Sequence, residues 1–156
     1  MTTYSFKNVG KSKDEKLAER FFKSPIPFGI KTPLSFATEG EGIFSMHYNL
    51  ADQFSDNLRN LILTNWGERL GLYDFGANLK PLTTEFSSQD NFDEEAIARI
   101  KSATSKWLPH VALGTFDSEI DRIENKNTAV IKMNITYTVP LLDDKPRAIQ
   151  VVLYVI

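Results

Sequence analysis

The sequence predicts an α+β fold, with helices packed on one face of a small antiparallel sheet. Three observations carry this. Apolar residues recur at helical spacing from Leu50 to Thr64. They do so again over residues 92–108, before Pro109. From Thr128 to Val139 the pattern switches to alternation, the period of a half-buried strand.

Residues 1–20 read as a flexible arm, polar and lysine-rich to about residue 13, with a short helical turn after it; residues 21–156 read as a single domain. In "SPIPFGIKTPLSFATEGEGIF" the residues Pro25, Pro27, Pro33, Gly29, Gly40 and Gly42 exclude a long helix and predict an extended, loop-like path. Leu50, Phe54, Leu58, Leu61 and Ile62 then form one helical stripe, with Asp52, Asp56, Arg59 and Asn60 largely on other faces. Gly67, Gly71 and Gly76 mark an irregular connection. "ANLKPLTTEF" predicts at most a short helix interrupted at Pro81. In "NFDEEAIARIKSATSKWLPH", Asn91 and Glu94 have capping-box spacing, acids fill the first turn, and Ile97, Ile100, Thr104, Trp107 and Leu108 make a stripe that stops at Pro109.

The remainder is strand. "HVALGTFDSEIDRIE" predicts a first strand, joined through the polar turn "NKN" to "TAVIKMNITYTV" as an antiparallel hairpin. Ala129, Ile131, Met133, Ile135, Tyr137 and Val139 share one face of the second strand. After the turn "LLDDKPR", the stretch "AIQVVLYVI" carries apolar residues on both faces. Ile149, Val151, Leu153 and Val155 point one way and Ala148, Val152, Tyr154 and Ile156 the other. Such a strand is covered on both sides or meets another chain.

The 156 residues include 42% hydrophobic, 12% aromatic and 24% charged side chains, as in an ordinary globular protein, and a chain of about this length buries roughly two-thirds of its unfolded surface. A formal net charge of -2 argues against nucleic acid as the main partner, since phosphate-binding surfaces are basic. The absence of cysteine excludes disulfides and thiolate metal sites. No signal-peptide core opens the chain and no apolar run is long enough to span a bilayer, so the expectation is a soluble protein made in a cytoplasm.

Little in the chain points to catalysis. His47 and His110 lie far apart without ligand spacing, which favours ordinary structural or surface histidines over a metal site. "GERLGLYDFG" lacks the lysine of a phosphate loop. A glycoside hydrolase needs two carboxylates, one with a raised pKa; Glu68 and Asp74 are nominees, but Arg69 beside Glu68 favours its ionised form. For the Glu68–Arg69 pair, two readings stand: a solvated loop pair, or a docking element held by a glycine-shaped turn.

The stretches "PIPFGI" and "FSMHYNLADQFSDNLRNLILTNWGERLGLYDFGANL" resemble the baseplate wedge family of contractile phage tails, the sheath-initiator proteins once labelled lysozyme-like. Leu63, Thr64, Gly67, Glu68, Arg69, Phe75, Gly76 and Leu79 carry the likeness, and the order of the later elements agrees with it from about residue 20. In one departure, Leu70 follows Arg69 where many members have proline near the charge pair.

The resemblance implies a non-enzymatic baseplate wedge component without cofactor or metal, located in the virion tail baseplate and assembled in the host cytoplasm. Gly67, Glu68, Arg69, Phe75 and Gly76 would dock onto the wedge core proteins. The domain would be similar to the strand-exchanging domain of tail sheath proteins, with Val151, Leu153 and Val155 on a sheet edge offered to the sheath subunit. Tube or hub proteins are further candidate partners; nucleic acid and membrane are not. The alternatives are a type VI secretion baseplate subunit, a regulatory binding protein related to a bacterial anti-adaptor and, from another class, a lysozyme-like peptidoglycan hydrolase.

Overall fold

A computed structural model of the chain describes residues 26–37, 42–85, 89–122 and 129–155. The arm expected over 1–20, the "NKN" turn and Ile156 lie outside these residues. The chain divides into two compact units between Leu50 and Ala51.

In the first unit, β1 (Gly29–Ile30) pairs antiparallel with β2 (Met46–His47), Gly29 opposite His47. The ladder continues past the strands. The Lys31 N–H donates to the Ser45 carbonyl at 3.0 Å, the Ser45 N–H donates to Ser35 at 2.9 Å, and Phe36 bridges to Phe44 with ring centroids 6.3 Å apart. The segment expected as a loop-like path therefore folds back on itself as an antiparallel ribbon. Prolines and glycines exclude a helix here but do not prevent short cross-strand pairing.

The second unit holds nearly all of α1 (Leu50–Leu63), then α2 (Leu82–Glu85), α3 (Gln89–Trp107), β3 (Ala112–Arg122), β4 (Ala129–Val139) and β5 (Asp143–Val155). The three long strands form an antiparallel sheet in the order β3-β4-β5, so β4 is central and β5 lies at one edge. One apolar core joins Leu58, Leu61 and Ile62 of α1, Phe92, Ala96 and Ile100 of α3, and the inner sheet face formed by Ile131, Met133, Ile135, Tyr137, Val139, Ile149 and Val151. The fold is thus α+β, with helices on one face of the sheet. The alternation expected in β4 is observed position by position: every odd-numbered residue from Ile131 to Val139 is buried.

Four local expectations are corrected. Asn91 does not cap α3, because the helix already includes Gln89 and Asp90. The buried stripe of α3 runs through Phe92, Ala96, Ile100 and Ala103 as well as Thr104, while Ile97, Trp107 and Leu108 are half-buried; small alanines at the contact are easily overlooked in an apolarity count. Pro81 precedes α2 and does not interrupt it, consistent with a proline's missing N–H being harmless at a helix start. Finally, β5 begins at Asp143, several residues before Ala148, and includes Pro146; an edge strand accommodates proline because one side of its backbone needs no ladder partner. In α1, Asp56 is also buried, its carboxylate 3.5 Å from the Arg59 guanidinium.

Candidate functional site

The connection between α1 and α2 is a closed loop. At the end of α1 the Thr64 hydroxyl donates to the Asn60 carbonyl at 2.6 Å. The chain then leaves and returns: the Ala77 N–H donates to the Leu61 carbonyl at 3.0 Å and the Asn78 N–H to Thr64 at 3.3 Å. These bonds satisfy carbonyls that a helix end leaves open. The close return requires a glycine. Gly76 has φ 110°, and a Cβ there would overlap the Thr64 carbonyl oxygen. Across the loop the Gly67 N–H donates to the Tyr73 carbonyl at 2.7 Å.

Within this frame Glu68 and Arg69 go to different partners. Glu68 Oε2 accepts from the Asn65 backbone N–H at 2.8 Å, and Oε1 accepts from the Asn65 side-chain amide at 2.9 Å. The backbone N–H of Asn65 first, and its amide second, hold the Glu68 carboxyl below the usual glutamate range. Asn65 Oδ1 in turn accepts from the Lys80 N–H at 3.0 Å, tying the loop to its far end. Arg69 instead lies over the Phe75 ring, 4.3 Å from its centroid. Phe75 meets Trp107 edge-on at 5.3 Å, so the guanidinium rests on a stack anchored at the end of α3. Lys106 pairs with Asp74 and lies 5.1 Å from the Trp107 ring, and its hydrogen bond holds the Asp74 carboxyl below the usual aspartate range.

Outward, the loop presents apolar surface: Leu70 is 94% exposed, Tyr73 68% and Trp66 59%. Beside Arg69 a groove of about 570 Å³ is lined by Asn57, Asn60, Thr64, Phe75 and Leu108 and bordered by Glu68.

Of the residues singled out in the sequence, Gly67, Glu68, Arg69, Phe75 and Gly76 are brought together in this loop. The others are elsewhere. Val151 is buried and Leu153 packs against the core, so a partner reaching either position along β5 meets main chain and not their side chains. Val155 pairs with Ala129 through its backbone. Tyr154, on the opposite face, is 73% exposed. Asn65, Asn78 and Trp107 were not picked out for this role. The spacing N-x-x-E at Asn65–Glu68 was the available signal: it is the capping-box spacing assigned to Asn91–Glu94, and it operates here at a turn. His47 is buried within β2 and His110 is exposed. Among the described residues no three His, Cys, Asp or Glu side chains are grouped to hold a metal ion, and no helix is long and apolar enough to cross a membrane.

No protein-family description matches the chain, and no curated protein does. Among solved structures, the chain is similar to one in the baseplate of the anti-feeding prophage, with a TM-score of 0.57 and 19% identity over 70% of this chain and 82% of that one. It is also similar to a protein of Geobacter sulfurreducens described as a tail lysozyme, with a TM-score of 0.54 and 19% identity over 69% of this chain and 93% of that one. At this identity the likeness establishes a shared fold.

Proposed function

We propose that the protein is a non-enzymatic baseplate component of a contractile tail or injection apparatus. In this reading residues 21–156 act as one wedge domain, the loop Asn65–Gly76 docks onto the wedge core proteins, and the outer edge of β5 pairs with a sheath subunit so that sheath assembly starts there. Its place is the tail baseplate. The observation that carries the reading is the preformed loop, which spends its internal hydrogen bonds on its own shape and leaves Arg69, Leu70 and Tyr73 outward. The fold shared with a chain of a prophage baseplate supports it.

The fold is also shared with a protein described as a tail lysozyme, so hydrolysis is the rival to test. Glu68 and Asp74 are both held toward their ionised forms, whereas glycoside hydrolysis needs one carboxyl kept protonated. Incubation with peptidoglycan decides between them: no clearing by the wild-type chain is expected, and clearing that Glu68→Gln abolishes overturns the structural role. The proposed role itself is tested by deleting the gene and imaging the particles, with free tubes and unsheathed baseplates expected.

A further inference from the structure

Resting on the docking reading above, we infer that the loop recognises a carboxylate of its protein partner through Arg69, with Glu68 as a positioning residue that makes no contact across the interface. The adjacent charges look equivalent in sequence but are not equivalent in the fold. Both Glu68 oxygens are occupied by Asn65, at 2.8 and 2.9 Å. The Arg69 guanidinium lies over the Phe75 ring, 4.3 Å from its centroid, and among the described residues it makes no hydrogen bond or ion pair. A planar fork with one face covered by an aromatic ring offers its edge, and the geometry that matches such an edge is a carboxylate bound through two oxygens.

The surroundings narrow the occupant further. Besides Glu68 and Arg69, the groove is lined by the neutral polar Asn57, Asn60 and Thr64 and by the apolar Phe75 and Leu108. Leu70 follows Arg69 directly and is 94% exposed. The complementary segment therefore carries an aspartate or glutamate beside an apolar patch that receives Leu70. A nucleic-acid phosphate fits less well, because a single guanidinium on a chain of net charge -2 supplies no basic stripe. Glu68 lines the same groove, and each of its two oxygens already accepts a hydrogen bond from Asn65.

Photocross-linking in the cells that assemble the particle tests this. The full chain carries p-benzoylphenylalanine in place of Leu70, and cross-linked peptides are identified by mass spectrometry. The expected product joins Leu70's position to a baseplate protein, within a peptide that contains an Asp or Glu. Reversing that acid to Arg should lower the cross-link yield about tenfold or more, and Arg69→Glu in the same cells should restore it to within about threefold. Because the partner's reversal leaves this chain unaltered, loss of yield cannot come from misfolding of the loop. A cross-link to a baseplate protein whose peptide has no acid, or whose acid reversal Arg69→Glu does not rescue, overturns the carboxylate inference and leaves docking intact. Absence of any cross-link to a baseplate protein overturns both.

Discussion

The backbone and side-chain N–H groups of Asn65 both donate to the carboxylate of Glu68, three residues on. This is the reach-back half of a capping box, carried out by a loop between helices. Losing the acceptor should loosen the loop without unfolding the domain. Glu68→Ala is expected to lower global stability by less than about 1 kcal/mol, since the bonds are solvent-exposed, while amide hydrogen exchange at Asn65 and Gly67 accelerates. Unchanged exchange at both amides would mean that the loop is held by other contacts.

Glu68 also gives the loop a pH dependence. Its folded pKa lies below the ordinary glutamate value, so the stabilisation is fully present above that value and is lost as pH falls through the depressed one. Asp74, held down by Lys106, and Asp143, held down by Arg147, act in the same direction. Thermal melts from pH 7 downward should therefore show stability falling below the ordinary carboxylate range. The slope should be shallower in Glu68→Gln, and identical slopes would remove Glu68 from the account.

Gly76 and Gly71 both have positive φ, at 110° and 79°, but only Gly76 abuts backbone. Gly71→Ala meets open space and should cost about 1 kcal/mol, the penalty of the left-handed conformation. Gly76→Ala adds a collision with the Thr64 carbonyl and should cost roughly 3 kcal/mol or more, read from denaturant midpoints. Equal costs would show that the loop relaxes away from α1.

The outer edge of β5 is tested by a proline scan over Gln150–Tyr154. At positions whose N–H faces away from β4, proline should leave the melting temperature within a few degrees of wild type, because no internal ladder bond is lost. Those variants should enter baseplates and fail to nucleate sheath. Normal sheath growth on them would contradict strand pairing at this edge.

The sheet and the two long helices are legible in the sequence because their burial is periodic. Ile131 to Val139 alternate and are buried accordingly, and Leu58, Leu61 and Ile62 fall on one helical stripe. Helix starts are less legible: Asn91 has the right spacing for a cap, but α3 begins before it. The candidate loop was legible as a cluster of glycines and charges, not as a mechanism. Adjacency in sequence suggested that Glu68 and Arg69 act together, whereas backbone direction sends one to Asn65 and the other to Phe75. Trp107 reaches the same site from α3, a long-range contact that no local pattern encodes.

The central claim, that this loop docks the protein into a baseplate, is tested most directly by the recovery of Arg69→Glu in purified baseplates. Arg69 is exposed and forms no internal ion pair among the described residues, so the variant should stay folded, losing about 1 kcal/mol or less with its contact to the Phe75 ring. Its abundance in baseplates, quantified against the other baseplate proteins, should fall about tenfold or more. Incorporation at wild-type levels by a folded Arg69→Glu chain would contradict the account.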